Sequence, residues 1–492
     1  MDESLKVWFL APEVAPFAKT GGLADVAGSL PSAVRRLGID VRVGLPFYRT
    51  VKEGNFSIKK VLQGLEVPLG DKTLPCDVLE TRTSDGILVY FFDREDLFDR
   101  ANLYGNQDGD YPDNLERFAY FSRAALVFAK ESGFCFDVVH CHDWQTGLVP
   151  AYLKTICRTD PFFSQAASVF TIHNVGYQGL FPADSLSACG LPPSEFHPEG
   201  VEYWGKISLL KAGIAYANAI TAVSPRYSRE IQTSEFGMGM DGILGNRSVD
   251  LYGILNGVDY SAWDPATDTH ISVHYSAGNM KGKGACKAAI VHEMSLDERI
   301  LDRPLLAVIS RLTVQKGYDL LLEVAEDVIR MDTGLVILAA GEKKYQQALD
   351  ALAQEHHGRM AVRIGFDDPL AHRIMAGSDM LLVPSRYEPC GLTQIYALKY
   401  GTVPIVRATG GLDDTICQFD PKSGEGTGFK FTEYDAMAFL DQIKAALNAY
   451  HDRRTWKRVV RNGMNADFSW EESARKYVFL YQQIAGKGAS HG

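Results

Sequence analysis

Val7-Trp8-Phe9-Leu10-Ala11-Pro12-Glu13-Val14-Ala15-Pro16-Phe17-Ala18-Lys19-Thr20-Gly21-Gly22-Leu23-Ala24-Asp25 passes from a short apolar run, through a loop carrying two glycines, into an amphipathic stretch. Positions 7–11 read as a strand and 24–37 as a helix, the opening half of a βαβ unit. Gly21 and Gly22 at the helix entry let backbone N–H groups approach a phosphate, and Lys19 adds a positive charge. Lys19 precedes the glycines, so this is not a Walker A loop. Taken alone, the motif also fits a plain Gly-Gly helix entry beside a solvated lysine.

The same rhythm continues along the chain. Strands are expected at 41–45, 136–141, 168–172 and 219–223, with helices at 114–131 and 205–217. Segments 77–81 and 87–92, joined through Ser84-Asp85-Gly86, read as a β-hairpin inserted into that pattern. A second series of strands is expected at 305–309, 335–339, 362–364, 380–383 and 403–406. Alternating strands and helices imply parallel sheets, and no short repeat suggests a solenoid. The polar stretch 260–303 reads as the crossover between two domains. Ser469-Trp470-Glu471-Glu472 is an S-x-x-E capping box opening a last helix, and 486–492 reads as a frayed tail. Two doubly wound domains are expected to face a central cleft at the carboxyl ends of their strands.

A length of 492 residues suits two or three domains rather than one core. Asp and Glu number 61 against 50 Lys and Arg, a net charge of −11, which disfavours a nucleic-acid binder held by phosphate charge. No apolar run approaches about 18 residues, so no membrane span is expected. Met1 to Lys6 lacks the charged and apolar regions of a signal peptide. The eight cysteines contain no C-x-x-C pair, which fits reduced thiols and a cytoplasmic protein.

Chemistry-bearing residues follow the strands. In His140-Cys141-His142-Asp143-Trp144 the histidines share one strand face while Cys141 points away, and no third ligand at metal spacing follows. Asp143 and Trp144 suit a sugar instead, a carboxylate for hydroxyls and an aromatic face for the ring. Thr171-Ile172-His173-Asn174 repeats that arrangement. In Ser310-Arg311-Leu312-Thr313-Val314-Gln315-Lys316-Gly317, Arg311 and Lys316 can converge on a diphosphate beside a helix start, or merely cap that helix. In Glu388-Pro389-Cys390-Gly391-Leu392-Thr393-Gln394, an acid leads into backbone amides that form a second anion cradle.

Three motifs mislead. Gly237-Met238-Gly239-Met240-Asp241-Gly242 satisfies GxGxxG but follows a helical stretch, so the reading as a dinucleotide-dependent oxidoreductase fails its context. Asp108-Gly109-Asp110 resembles a metal–diphosphate clamp but has no strand before it. No Gly-x-Ser-x-Gly suggests a serine hydrolase.

Together, Lys19 to Val26, His142-Asp143-Trp144, Thr171 to Asn174, Asn256-Gly257-Val258-Asp259, Ser310 to Gly317, Glu388 to Gln394 and Thr409-Gly410-Gly411-Leu412 resemble the bacterial glycogen synthase and plant starch synthase family. The resemblance covers nearly the whole chain. It implies a GT-B fold, α/β with two Rossmann-like domains at 1–259 and 260–470, and a C-terminal helix, 471–492, crossing back to the first. It implies a retaining glucosyltransferase acting on ADP-glucose and an α-1,4-glucan, with no cofactor and no metal.

By the same resemblance Glu388, Lys316, Arg311 and His173 are catalytic. Lys19, Gly22, Asp143, Trp144, Asn174, Asn256, Cys390, Gly391, Leu392 and Thr393 bind the sugar nucleotide. Two departures stand out. Position 396, where related retaining enzymes often place a second acid, is Tyr396, and Phe366 stands where a tyrosine is expected. Another GT-B transferase using a UDP-sugar is the enzymatic alternative, and a non-catalytic glucan-binding protein the other.

Overall fold

The computed structural model describes residues 4–106 and 109–488, which form two compact units, Met1–Gly257 with Trp470–Gly492 and Val258–Ser469. Asp108 of the acidic motif and the last residues of the expected tail lie outside the described residues. No helix is long and apolar enough to cross a membrane, among the residues described.

The first unit is built on a nine-stranded sheet. Its strands lie side by side as Leu251–Gly253, Ala219–Ala222, Ala167–Ile172, Val138–His142, Lys6–Leu10, Asp40–Pro46, Leu88–Asp93, Lys72–Arg82 and Lys59–Leu69. The first seven run parallel, and Lys72–Arg82 is antiparallel to both its neighbours, Leu88–Asp93 and Lys59–Leu69. Val138–His142 is buried at every position, as expected for a strand covered by helices on both faces.

Local readings change in three places. The hairpin is no insertion: Leu88–Asp93 pairs parallel with Asp40–Pro46, so the hairpin extends the main sheet. Its outer strand, Lys59–Leu69, escaped the sequence reading because it is largely exposed and broken by register shifts. The helix expected at 205–217 begins only at Leu209. Glu202–Tyr203 and Lys206–Ser208 form a small hairpin first, and Ser208 Oγ caps the helix by accepting from the Lys211 amide at 3.1 Å.

Trp470–Gly488 packs within the first unit, with Tyr481 Oη 2.7 Å from His140 Nδ1 and Ser473 donating to the Leu255 carbonyl. Glu472 pairs with Lys476 at 2.7 Å.

The second unit holds six parallel strands in the spatial order Met360–Ile364, Gly334–Gly341, Leu305–Leu312, Met380–Val383, Val403–Arg407, Phe429–Phe431. Numbered along the chain, that is the doubly wound order 3-2-1-4-5-6. The parallel strands of the first unit follow the same order with a seventh added. Each sheet therefore reverses its winding between strands one and four, where ligands bind in such folds.

The stretch 260–303, read as the crossover, falls wholly in the second unit. It contributes the helix Lys281–Glu293, whose Lys287 pairs with Asp379 at 2.7 Å. Lys283 donates to the Tyr400 carbonyl at 2.9 Å and to Thr402 Oγ1 at 2.9 Å. Lys283 and Lys287 thus anchor the helix to the second unit's core. Burial pulls the Lys283 ammonium down to about 7.

Candidate active site

In the second unit the reversal point lies between Leu305–Leu312 and Met380–Val383. Arg311 is exposed near the end of the first of these strands. A turn over Val314–Lys316 follows, then Gly317 at φ 73°, then the helix Tyr318–Arg330. Lys316 Nζ meets Glu388 Oε2 at 2.5 Å, and Ser385 Oγ donates to that oxygen at 3.0 Å. The side chains of Lys316 and Glu388 are 17% and 8% exposed, so the pair is well shielded. An ammonium has three donors. One is committed to Glu388, and the others remain for an anion beside it.

The loop after Glu388 is held from behind. Gln394, fully buried, donates through Nε2 to the carbonyls of Cys390 at 3.1 Å and Gly391 at 2.9 Å and to Thr415 Oγ1 at 3.1 Å. The Gly411 amide donates to the Glu388 carbonyl at 3.0 Å. Gly410 and Gly411 approach so closely that a Cβ on either would lie 2.0 Å from the Glu388 or the Cys390 carbonyl oxygen. That contact explains the glycine pair. Leu392 precedes the helix Thr393–Lys399 with no side-chain cap on its first turn.

In the first unit the reversal lies between Lys6–Leu10 and Val138–His142. Glu13, buried, accepts from the Thr20 amide at 2.5 Å, from Thr20 Oγ1 at 2.6 Å and from Tyr104 Oη at 2.7 Å. One carboxylate thereby folds the loop that presents Lys19, Gly21 and Gly22. Lys19 Nζ pairs with Asp25 at 2.7 Å.

Asp143 terminates its strand at φ 55°, a left-handed conformation costly for a residue with a Cβ. Its Oδ1 accepts from the His173 amide at 2.7 Å. Burial pushes the Asp143 carboxyl up to about 7 against the amides of His173 and Asn174, and the nearby charge of Glu13 adds to the rise. Burial pulls the His173 imidazole down to about 3.

His140 and His142 share one strand face, as the alternation requires, with ring centroids 4.1 Å apart. His140 Nε2 lies 2.6 Å from Thr171 Oγ1, and His142 Nδ1 lies 2.9 Å from His173 Nε2. Among the described residues these imidazoles do not bring their ligand atoms together as a metal triad. Asn174 is buried and accepts from the Gly176 amide at 2.9 Å. Asn256 is buried too, and its Oδ1 has no hydrogen-bond partner among the described residues.

Trp144 is 8% exposed and packs edge-on against Phe118, and a Cβ on Gly179 would meet its ring. Tyr396 stacks on Trp263 at 4.2 Å and 6°, and Trp263 stacks in turn on His372 at 3.6 Å. That position belongs to an aromatic column. Phe366 is 81% exposed. Sequence reasoning gave no role to Glu13, Tyr104, Ser385 or Gln394. A lone acid in Ala-Pro-Glu-Val-Ala-Pro was the one visible signal.

Residues 6–246 match the family model described as the starch synthase catalytic domain, and residues 296–463 match glycosyl transferases group 1. Two doubly wound units carrying these domains make the chain a glycosyltransferase of the GT-B fold. Glycogen synthase of Koribacter versatilis is 47% identical over 97% of this chain and 98% of its own length. Glycogen synthase 2 of Geobacter sulfurreducens is 44% identical over 98% and 99%. The catalytic domain of starch synthase IV from Arabidopsis thaliana, solved with ADP and acarbose, superposes with a TM-score of 0.91 at 33% identity, covering 98% of this chain and all of that one. Sucrose-phosphate synthase from Thermosynechococcus elongatus shares the fold at a TM-score of 0.61 and 17% identity over 98% of this chain and all of that one. The chain belongs to the glycogen synthase and starch synthase family.

Proposed function

We propose that this enzyme transfers glucose from ADP-glucose to the 4-hydroxyl at the non-reducing end of an α-1,4-glucan, with retention at the anomeric carbon. The observation that carries this reading is the buried Lys316–Glu388 pair at the winding reversal of the second unit. It sets a cation for a leaving phosphate against a carboxylate for sugar hydroxyls. The relatives named glycogen synthase and the solved starch synthase with bound ADP support the donor and acceptor classes.

In the reaction the bond from C1 to the phosphate oxygen breaks and a bond from C1 to the acceptor oxygen forms. The acceptor's proton passes to the departing phosphate. Arg311 and Lys316 stabilise the negative charge that grows on the leaving group; preorganised groups of this kind contribute roughly 100- to 1,000-fold each. Glu388 accepts from glucose hydroxyls, and the amides of Cys390, Gly391, Leu392 and Thr393 serve the sugar and the distal phosphate. In the first unit Lys19 and Gly22 serve the diphosphate region, and Asp143, His173, Asn174 and Asn256 the glucose. Asn256 Oδ1, buried and unpartnered, suits a hydroxyl donor. Trp144, next to Asp143 in the chain, serves the glucose as well. His173, neutral because of its burial, acts as a hydrogen-bonding group rather than a cation.

Parallel transfer of labelled glucose from ADP-glucose and from UDP-glucose to glycogen tests the donor. Preference for ADP-glucose, with an α-linked product, is expected. Preference for UDP-glucose would favour the UDP-sugar alternative.

A further inference from the structure

His140 and His142 lie fully buried on one face of Val138–His142, and the transfer as proposed uses neither. His142 stands opposite Thr171 of the neighbouring strand, and His173 follows two residues further on. The rings of His142 and His173 have centroids 5.2 Å apart, and Nδ1 of the first meets Nε2 of the second at 2.9 Å. The other nitrogen of His142, Nε2, is buried with no hydrogen-bond partner among the described residues. The Phe9 ring at 4.3 Å and the His140 ring at 4.1 Å flank it. His140 is engaged elsewhere through both its nitrogens, with Tyr481 Oη at 2.7 Å and Thr171 Oγ1 at 2.6 Å. A buried polar atom left unmet costs free energy that an aliphatic side chain at this position would not. What the imidazole provides is its one bond, to His173.

That bond fixes more than a distance. Burial pulls both imidazoles well below the ordinary histidine range, and at His142 the neighbouring imidazoles add to the fall. Both rings are therefore neutral, and each carries a single N–H. If His173 donated, the His142 proton would sit on Nε2, a buried N–H without an acceptor. If His142 donates, only a lone pair is left unmet at that nitrogen, and orphaned buried N–H groups are rarer than under-satisfied acceptors. The second arrangement puts the His173 proton on Nδ1. The backbone of His173 is held separately, its amide donating to Asp143 Oδ1 at 2.7 Å. Asp143 thus sets the main chain at His173, and His142 sets the ring.

We propose that His142 is a positioning residue for the transfer: it holds the His173 ring in one orientation and one tautomer, with Nδ1–H kept as a hydrogen-bond donor for a glucose hydroxyl. The proposal rests on the reading of His173 as a group that serves the glucose. His173 is half-buried and His142 fully buried, so of the two it is His173 that can meet a substrate. Without His142 the His173 ring can turn or move its proton to Nε2, and a lone pair then stands where the N–H was. The sugar loses a contact whose direction had been fixed in advance.

Two readouts on the full-length enzyme test this. Nitrogen NMR of protein carrying isotopically labelled histidine, with the His173 signals assigned through His173→Ala, is expected to show the His173 proton on Nδ1. A proton on Nε2 in the wild type overturns the proposal. His142→Leu removes the bond and should lower kcat roughly 3- to 10-fold, the worth of one neutral hydrogen bond, with little change in the KM for ADP-glucose. His142→Asn puts an amide donor where Nδ1 stood and should recover most of that loss. In a His173→Ala background His142→Leu should cost nothing further, whereas a merely structural histidine would cost the same in both backgrounds. Equal losses in the two backgrounds, or His142→Asn as impaired as His142→Leu, overturn the proposal. If His142→Leu does not fold, the wild-type spectrum and the turnover of His142→Asn still decide. Failure of the proposed function looks different: no form transfers glucose from ADP-glucose, while the tautomer of His173 is read as before.

Discussion

Lys316 and Glu388 stand 72 residues apart in the chain and 2.5 Å apart in the fold. Because both are shielded, removing one leaves the other as an uncompensated charge, which costs about 3–5 kcal/mol in pairs of this kind. Glu388→Gln keeps the shape and an acceptor for Ser385 but removes the carboxylate. Its turnover should fall roughly 30- to 5,000-fold, the equivalent of about 2–5 kcal/mol, with the thermal midpoint lower but the transition cooperative. Steady-state kinetics with varied ADP-glucose, run beside a melt, make the check, and an unchanged kcat in the folded variant would move the active site elsewhere.

Asp143 gives a prediction of opposite sign. Its carboxyl is raised to about 7 in the folded state, so the native protein holds a proton that the unfolded chain has released. Stability therefore falls as pH rises between about 4 and 7, where the native state binds more protons. Asp143→Asn can still accept from the His173 amide and never charges. Its thermal midpoint relative to wild type should climb across that window, and a difference flat with pH would refute the assignment.

Between strands and helices, the elements meet the site through glycine. Gly317 lies between the Lys316 turn and its helix, where a Cβ would stand 1.9 Å from the Pro384 carbonyl oxygen. The turn bearing Lys316 can approach the loop bearing Ser385 and Glu388 only without that carbon. Gly317→Ala meets both this clash and a positive φ, so the loss should exceed about 1 kcal/mol. Activity should drop more than the melt alone explains, because Lys316 shifts away from Glu388. Activity at the wild-type level in this variant would show that the ion pair tolerates a displaced turn. The column of Tyr396, Trp263 and His372 shows the complementary rule: a position that could have carried an acid is committed to packing.

At the scale of the whole molecule, a net charge of −11 sits oddly with the doubly negative donor proposed for it. Local cations ease the conflict: Arg311 stands near the end of Leu305–Leu312 and Lys316 in the turn that follows it in the second unit, and Lys19 on a loop after a strand of the first. On the proposed function the cations and helix starts serve the diphosphate without a metal, so transfer should persist in excess EDTA. Loss of activity restored by Mg²⁺ or Mn²⁺ would return the 108–110 motif to attention, of which Asp110 is exposed.

The sequence by itself determined the alternation of strands and helices, the two doubly wound series and the loops that carry chemistry. Periodicity and glycine placement are local signals, readable wherever a strand hands over to a helix. It did not show that Glu13 organises the Lys19 loop, that Gln394 braces the Glu388 loop, or that Tyr396 stacks on Trp263. It put 260–303 at the start of the second domain but did not show the lysine contacts that anchor that stretch there. Those facts depend on contacts between positions far apart in the chain: Glu13 with Tyr104, Tyr396 with Trp263, Lys287 with Asp379. Only the folded structure decides which side chains meet water, and burial is what turns an ordinary aspartate into Asp143 and an ordinary lysine into an anchor.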